Sequence, residues 1–206
     1  MSFEYMENQD KKRELIIEAA LKRFAHFGLN KTTMNEIASD ISLSKALLYY
    51  YFPDKISLFA AVMETIIGKI EIETQEGLKG QKSGRDAILF YLDKRQEFVR
   101  KYFNLLEFAI SMGSEIPKQL EEIFTKARSS EKSYILNIIE NGNRTGEFNV
   151  ENPSFVAEIL LDALAGMRSN HFAPTKNFYP DQTQFQQILK KEKQLASIFL
   201  NGLKNA

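Results

Sequence analysis

Residues 44–55 read SKALLYYYFPDK and place three tyrosines and a phenylalanine in one uninterrupted row. A tyrosine ring can pack against protein while its hydroxyl donates a hydrogen bond to a phosphate oxygen. Ser44 is suited to cap a helix, Lys45 adds a positive charge beside it, and Pro53 stops a helix that precedes it. The row is therefore typical of a surface that contacts a nucleic-acid backbone. On composition alone, a short connecting helix of a bundle would explain it equally well.

No residue pattern in the sequence indicates catalysis or metal binding. The chain contains no cysteine, which excludes disulfides, thiolate metal sites and cysteine nucleophiles. Its two histidines, His26 and His171, are far apart and lack a partner at metal-ligand spacing. No glycine-rich loop is present that would hold a phosphate. We therefore expect neither an enzyme nor a metal or cofactor. We interpret His26 as structural, and His171 as structural or as the edge of a pocket.

The charge of the whole molecule does not indicate a nucleic-acid partner. The 206 residues include 27 basic and 27 acidic ones, so the formal net charge is +0. Residues 11–55 contain eight basic and five acidic residues, a local net charge of +3. A nucleic-acid contact would therefore depend on local arrangement and not on the field of the whole protein.

The sequence favours a soluble protein. Hydrophobic residues make up 44% and charged residues 26% of the chain, the balance of an ordinary folded protein. Residues 1–14 are polar and lack the apolar stretch of a signal peptide. The longest apolar run, at residues 46–52, is too short to cross a membrane. We expect a cytoplasmic protein without membrane contact, in agreement with the absence of cysteine.

Helical periodicity predicts two short helices behind a longer one near the N-terminus. Residues 11–27 form an apolar stripe along one helical face, and Gly28 follows at the position of a C-terminal cap. Thr33 and Glu36 form a capping-box pattern that opens a short second helix. Two short helices joined by a tight turn and braced by a preceding helix make a helix-turn-helix.

The third helix, which ends before Pro53, is predicted to have one buried and one exposed face. At about 100° per residue, Leu48 and Phe52 point the same way and are buried against the first two helices. Tyr50 lies nearly opposite to them. The remaining positions on the outer side or at its rim are Ala46, Leu47, Tyr49 and Tyr51.

The rest of the chain is predicted to form a helical bundle, which makes the fold class all-α. Caps and turns suggest the boundaries. The predicted elements are a helix from Pro53 toward Gly77, a loop over 77–84, a helix opened by Ser83–Asp86, a helix from Pro117 to the turn at 141–146, a helix opened by Asn152–Pro153, and a last helix over 181–203.

Several motifs occur together and in order, and they resemble the DNA-binding domain of the tetracycline-repressor (TetR) family. They are FAHFG at 24–28, TTM at 32–34, IA at 37–38 and the row at 44–55. The close resemblance covers residues 11–59. The segment GNRTGEF at 142–148, followed by Asn152 and Pro153, is similar to the family's turn before its penultimate helix.

The resemblance implies a homodimeric transcriptional regulator, a repressor that leaves a palindromic operator in double-stranded DNA when a small molecule enters its C-terminal bundle. It implies a helix-turn-helix DNA-binding domain at residues 1–56 and an effector-binding and dimerisation domain at residues 57–206. By motif position, the residues implied to contact DNA are Thr33, Ser44, Lys45, Ala46, Leu47, Tyr49, Tyr50 and Lys55.

Two positions depart from the family's pattern. Glycine is usual where this chain has Ser42, so the turn either differs slightly or holds Ser42 in a left-handed conformation. Threonine or another small residue is common where this chain has Leu47. A leucine cannot hydrogen-bond a base edge, but it can contact a thymine methyl group.

The resemblance places an effector pocket among the central helices, which are rich in aromatic residues. Most of these side chains must belong to the core, and a subset is expected to line a cavity that favours an unknown small apolar effector. The candidates for the lining are Phe90, Phe98, Tyr102, Phe108, Met112, Phe124 and His171.

The last two helices carry apolar faces that predict a homodimer. Pairing them across a two-fold axis would form a four-helix interface. Burial of the same faces within a monomer is the alternative, which we disfavour because one helix-turn-helix alone grips a half-site weakly. Two further hypotheses stay open: a helical small-molecule-binding protein that has lost DNA binding, and a protein-interaction adaptor with an exposed apolar patch.

Overall fold

The computed structural model describes residues 3–112, 115–172 and 180–204, and all regular structure within these ranges is helical. The all-α prediction is confirmed. No helix in the described part of the chain is both long and apolar enough to cross a membrane. The helices found there are α1 (Phe3–Lys31), α2 (Met34–Asp40), α3 (Lys45–Tyr51), α4 (Lys55–Lys79), α5 (Gly84–Lys101), α6 (Phe103–Ser111), α7 (Lys118–Thr145), α8 (Pro153–Phe172) and α9 (Gln182–Gly202).

Glycine at position 28 interrupts α1 where the sequence predicts a cap. The φ angle of Gly28 is 77°, in the left-handed region that glycine adopts without strain. The helix resumes after this break and continues to Lys31. The hydroxyl of the buried Thr32 donates to the Gly28 carbonyl oxygen at 2.9 Å and closes the break.

The predicted caps of α2 and α3 are confirmed in the structure. Thr33 and Glu36 form the complete capping box, in which each residue's side chain accepts from the other's backbone N–H. Ser44 Oγ accepts from the backbone N–H of Leu47 at 3.2 Å and caps α3. Asp181 caps α9 in the same manner.

The predicted start of α4 at Pro53 is wrong by two residues. The helix begins at Lys55, because Asp54 is the residue that caps it. Asp54 Oδ1 accepts from the backbone N–H of Ser57 at 2.7 Å. Aspartate is among the preferred N-cap residues, since its carboxylate satisfies an amide that has no partner within the helix.

Other boundaries also differ from the sequence-based expectations. Helix α4 continues through Gly77 to Lys79, so the loop before α5 is shorter than predicted. A short break at Tyr102 separates α5 from α6, and the sequence did not predict α6 as a separate element. Helix α7 continues through the predicted turn as far as Thr145.

The chain forms two compact units. Unit 1 contains the chain up to Gly68 together with Tyr102–Phe124, and unit 2 contains Lys69–Lys101 together with the chain from Thr125 onward. These units are defined by how the chain packs. The predicted division between residues 56 and 57 concerns function, and it stays a prediction.

Unit 1 is organised around a row of aromatic rings. Phe24 of α1 meets Phe59 of α4 edge-on at a centroid distance of 5.8 Å, and Phe59 meets Phe108 of α6 at 5.5 Å. Asn104 Nδ2 donates to the Ala25 carbonyl oxygen at 3.0 Å and joins α6 to α1. Helix α2 packs on α1 and α3 packs on α2, so both short helices rest on this scaffold.

Unit 2 has an apolar core in which α9 packs against both α5 and α8. The turn after α7 belongs to this core through Phe148, which is only 4% exposed. Its ring lies where two glycines leave room. A Cβ atom on Gly142 would stand 2.0 Å from Phe148 Cδ2, and one on Gly84 would stand 2.6 Å from Cε2.

We predict that Gly142→Ala destabilises the protein, because the added methyl group overlaps a ring that is held in the core. Overpacking of this kind costs about 1–3 kcal/mol. Gly68→Ala is the matched control, since a Cβ at this helical position meets nothing within 4 Å. The control should gain up to about 1 kcal/mol from the better helix propensity of alanine.

Urea unfolding of both variants measures these changes in the free energy of unfolding. Equal stability of Gly142→Ala and the wild-type protein would show that Phe148 can move aside at little cost.

Candidate nucleic-acid interface

The turn between α2 and α3 is tight and closed by backbone hydrogen bonds. The N–H of Ser42 donates to the Ser39 carbonyl oxygen at 3.2 Å, and the N–H of Leu43 donates to that of Ala38 at 2.9 Å. The φ angle of Ser42 is 52°, so this residue adopts the left-handed conformation that one of our two alternatives predicted. Serine thus occupies a conformation that costs a residue with a Cβ atom about 1–2 kcal/mol.

Helix α3 has the two faces that its sequence predicts. Leu48 is 0% exposed and Phe52 is 3% exposed, so the inner side belongs to the core of unit 1. Tyr50 is 69% exposed and Tyr49 is 40% exposed on the outer side. Lys45 and Ala46 are exposed with them, and Leu47 is half-buried. A tyrosine with most of its ring in water gains little from folding, which favours an intermolecular role.

Ring contacts help to order the outer side chains of α3. The ammonium group of Lys45 lies 5.8 Å from the centroid of the Tyr49 ring, within the range of a cation–π contact. The rings of Tyr50 and Tyr51 meet edge-on at a centroid distance of 5.4 Å. Through these contacts, the ammonium group of Lys45 and the three tyrosine rings of α3 restrict one another's positions.

An ion cluster that the sequence did not predict joins α1 to α2. Arg23 makes a two-pronged contact with Asp40, with Nη2 lying 2.8 Å from Oδ1, and its Nη1 lies 3.3 Å from Glu36 Oε1. The hydrogen bond from Arg23 holds the pKa of Asp40 below its ordinary value. Hydrogen bonds from Thr33 lower the pKa of Glu36. The cluster therefore remains charged near neutral pH and fixes α2 on α1.

Thr33 is already engaged in this cluster. Its hydroxyl lies 2.8 Å from Glu36 Oε2, and its backbone N–H donates to the same oxygen at 2.8 Å. A contact between Thr33 and a DNA phosphate stays a prediction, and it would have to form beside the carboxylate of Glu36.

Lys55 has a structural role that the sequence did not indicate. Its ammonium group donates to the carbonyl oxygen of Leu29 at 2.8 Å and to that of Thr32 at 3.0 Å. The first turn of α4 is thereby tied to the end of α1. A contact of Lys55 with DNA stays a prediction. Only the third N–H of the ammonium group is free to make such a contact.

The structure brings most of the predicted DNA-contacting residues together on one helix. Ser44, Lys45, Ala46, Tyr49 and Tyr50 lie at or on the outer side of α3, and Leu47 is at its edge. Thr33 is at the start of α2 and Lys55 at the start of α4.

The residues predicted to line an effector pocket are divided between the two units. Phe90, Phe98 and His171 belong to unit 2, whereas Tyr102, Phe108, Met112 and Phe124 belong to unit 1. Phe108 is part of the aromatic row described above, and His171 Nε2 lies 3.0 Å from the Gln184 carbonyl oxygen. A shared role of these residues in one pocket stays a prediction.

Unit 2 contains an open groove lined by other residues. The groove has a volume of about 670 Å³ and lies between the end of α4, the start of α5 and one side of α7. Most of its lining residues are polar, among them Ser129, Ser133, Asn137 and Gln75, but apolar atoms make up the larger part of its surface. In the part of the chain that the structure describes, no three histidine, aspartate or glutamate side chains come together to hold a metal ion.

The site lies in the part of the chain that matches a known protein family. Residues 16–62 match the family described as "Bacterial regulatory proteins, tetR family", and this range includes all of α2 and α3. The chain is similar to the HTH-type transcriptional regulator RutR of Escherichia coli (strain K12), with 30% identity over 128 residues, 61% of this chain and 60% of RutR. The similarity to the uncharacterized HTH-type transcriptional regulator YhgD of Bacillus subtilis (strain 168) is 28% over 151 residues, 73% of this chain and 78% of YhgD.

Solved structures extend the similarity over the whole fold. A transcriptional regulator from Cytophaga hutchinsonii ATCC 33406 is 34% identical and superimposes with a TM-score of 0.85, covering 94% of this chain and 98% of that one. A tetR-family transcriptional regulator from Streptomyces coelicolor shares the fold at 18% identity, with a TM-score of 0.69 over 92% of this chain and 79% of that one.

We predict that Lys55→Met lowers the free energy of unfolding, because two carbonyl oxygens at the end of α1 lose a charged donor. Hydrogen bonds to charged groups contribute about 1.5–3 kcal/mol. Lys31→Met is the matched control, since Lys31 is an exposed lysine at the end of α1. It should change stability by less than about 0.5 kcal/mol.

Thermal or urea unfolding of the two variants makes the comparison. If Lys55→Met is as stable as the wild-type protein, Lys55 does not brace unit 1, and its charge is then available for DNA.

Proposed function

Because the chain belongs to the tetracycline-repressor (TetR) family of DNA-binding transcriptional regulators, we propose that it is a homodimeric repressor that a small molecule releases from its operator. The observation that carries this proposal is the outer face of α3, where Tyr50 is 69% exposed beside Tyr49 and Lys45. We place its action in the cytoplasm, where bacterial operator DNA is found.

The outer face of α3 suits the major groove of DNA. Lys45 supplies a charge for a phosphate, and the tyrosine hydroxyls supply hydrogen-bond donors for the backbone. Ala46 and Leu47 offer apolar atoms, which in the major groove contact the methyl group of thymine. Together these side chains favour a half-site with thymines opposite the first turn of α3.

Reading an operator requires two copies of α3, and exposed apolar residues on the last two helices support a dimer. Phe155 is 60% exposed and Ile159 is 42% exposed on α8, one turn apart. Ile198 of α9 is 61% exposed. Homodimer interfaces are usually rich in apolar residues of this kind. Two such chains related by a two-fold axis would read half-sites about 34–36 Å apart.

Release by a small apolar effector is a shift in the equilibrium between two forms of the protein, one with high and one with low operator affinity. The effector binds more tightly to the form of the protein that has low operator affinity, and this differential affinity is the only source of its influence. Operator and effector must then weaken each other's binding by the same factor.

Selection of bound duplexes from a random DNA pool at a stated, near-physiological salt concentration tests the proposal. We expect enrichment of an inverted repeat whose half-sites are one helical turn apart. Weak, salt-sensitive binding without enrichment would contradict a sequence-reading dimer. It would favour a small-molecule-binding or adaptor protein instead.

We predict that Phe155→Glu converts the dimer to a monomer, because a buried charge in the interface is costly to desolvate. Operator affinity should fall with it, by tenfold or more, since each half-site is then bound singly. Ile72→Glu is the matched control, since Ile72 is an isoleucine of α4 with 64% exposure.

Sedimentation equilibrium measures the oligomeric state of both variants. A Phe155→Glu protein that remains dimeric would show that the interface lies elsewhere, and a monomeric Ile72→Glu protein would place it at α4.

A further inference from the structure

A cation lies beside an aromatic ring at each end of α3. At its start, the ammonium group of Lys45 lies 5.8 Å from the centroid of the Tyr49 ring. Just past its end, the guanidinium carbon of Arg13 lies 5.3 Å from the centroid of the Phe52 ring. Arg13 belongs to α1, so a different helix supplies the second cation.

These residues follow one another along one side of α3. Lys45, Tyr49 and Phe52 are four and three residues apart, which places them on one side of a helix with about 100° per residue. Phe52 directly follows the helix, and its backbone N–H still donates to the Leu48 carbonyl oxygen at 3.0 Å. We call Lys45, Tyr49, Phe52 and Arg13 the cation–aromatic row.

Core packing determines where Arg13 lies. On α1 it stands one turn before Ile16 and Ile17, which are 0% and 4% exposed. Arg13 therefore continues the buried face of α1 to the point where this face leaves the core. Phe52 is buried whereas Arg13 is exposed, so the guanidinium group covers the Phe52 ring from the solvent side.

The guanidinium group of Arg13 is available for a further partner. Among the described residues, none forms a hydrogen bond or an ion pair with Arg13. This includes Asp10 and Glu14, the acidic residues nearest to it in the chain. A cation–π contact leaves N–H donors of the guanidinium group free for hydrogen bonds. Arg13 is thus a cation whose position is restricted and whose charge is not balanced by an ion pair.

The ends of the cation–aromatic row are spaced to meet separate phosphates of DNA. Seven residues separate Lys45 from Phe52, a distance of about 10 Å along the axis of α3. The major groove is about 12 Å wide and has a phosphate backbone on each side. The paired N–H donors of a guanidinium group match two phosphate oxygens, whereas the ammonium group of Lys45 acts as a single charge.

We propose that Arg13 contacts a DNA phosphate and, together with Lys45, holds both ends of α3 against the DNA backbone. The inference rests on the proposed DNA-reading function of α3. It adds to that surface a residue of α1, outside the segment 44–55. A phosphate contact of this kind contributes affinity and register but carries no sequence information.

The salt dependence of DNA binding tests the proposal, because each neutralised phosphate releases counterions. The affinity of the full-length protein is measured by fluorescence anisotropy between about 50 and 200 mM KCl. Arg13→Met keeps an unbranched side chain over the Phe52 ring but removes the charge. We expect the slope of log K against log salt concentration to become less negative by about 0.9 for each bound copy of the chain. An unchanged slope would overturn the proposal.

Lys22→Met is the matched control for the loss of one charge from α1. Lys22 is exposed and follows Arg13 by nine residues, which places it on the opposite side of the helix. Its removal changes the net charge by the same amount and should leave the salt slope at the wild-type value. If Lys22→Met flattens the slope as much as Arg13→Met does, net charge alone explains the effect, and the proposal is overturned.

Two duplexes distinguish a phosphate contact from base recognition. One is a selected operator, and the other has the same length and composition in scrambled order. Arg13→Met should weaken binding to both by a similar factor, about tenfold at near-physiological salt. A loss confined to the operator would mean that Arg13 contributes to base recognition, and this result would overturn the proposed phosphate contact.

A purely structural role of Arg13 predicts a different result. Arg13 would then only cover Phe52 and offset the partial negative charge at the C-terminal end of α3. Urea unfolding would show a lower free energy of unfolding for Arg13→Met, while its salt slope would equal that of the wild-type protein. If Arg13→Met does not fold, Arg13→Gln takes its place in every measurement.

Arg13→Lys separates the charge from the geometry of the guanidinium group. This variant keeps the charge and loses the paired donors. Its salt slope should match that of the wild-type protein, and its affinity should fall less than that of Arg13→Met. If Arg13→Lys flattens the slope as much as Arg13→Met does, the charge is not the cause, and the proposal is overturned.

Failure of this inference can be told apart from failure of the proposed function. A protein that selects an operator and has the same salt slope with and without Arg13 is a regulator without this contact. A protein that selects no operator but loses slope on scrambled DNA in Arg13→Met retains the contact and lacks the proposed function. A wild-type protein that binds neither duplex at any salt concentration contradicts both.

Discussion

The burial of Leu48 and Phe52 is the constraint on which the proposed DNA-binding surface depends. Helix α3 has seven residues, and a helix of this length is not stable alone in water. Burial of the two side chains, each contributing about 1.5–3 kcal/mol, holds the helix against the rest of unit 1. Because one turn separates the two buried residues, Tyr50 must then face outward. The position of the outer face is thus a consequence of core packing.

Two sets of polar contacts also hold the helices around α3 in place. Arg23 holds α2 on α1 through Asp40 and Glu36, and Lys55 holds the first turn of α4 on the end of α1. Both contacts are charged and partly exposed, so they contribute less to stability than the core does, but they restrict how the short helices can rotate. In the proposed function, a rigid support of this kind would let a small number of exposed side chains read DNA with a defined register.

Unit 2 has a different organisation. Its core is apolar, and two ion pairs link its helices: Arg95 of α5 with Glu131 of α7, and Arg168 of α8 with Glu192 of α9. Well-packed apolar residues would replace partly buried ion pairs of this kind at little or no cost in stability.

Local rules predicted the parts of the fold that depend on neighbouring residues. The caps of α2 and α3 and the two faces of α3 follow from residue types and their spacing. The left-handed Ser42 was one of two alternatives that the family resemblance left open. Gly28 was predicted to end the first helix, but α1 resumes after it. The contacts of Arg23, Lys55 and Arg95 join residues far apart in the chain, and no short-range pattern indicates their partners. The start of α4 was misplaced because Pro53 and Asp54 are both acceptable near a helix start, and only the structure shows which one caps it.

The most direct test of the central claim is the operator affinity of Tyr50→Ala, measured together with its free energy of unfolding. Tyr50 is the most exposed aromatic residue of α3, so its removal should change stability by less than about 0.5 kcal/mol. Operator affinity should nevertheless fall by about tenfold or more, because a contact to DNA is lost. Unchanged affinity in a stable variant would contradict the claim that the outer face of α3 is the surface that reads DNA.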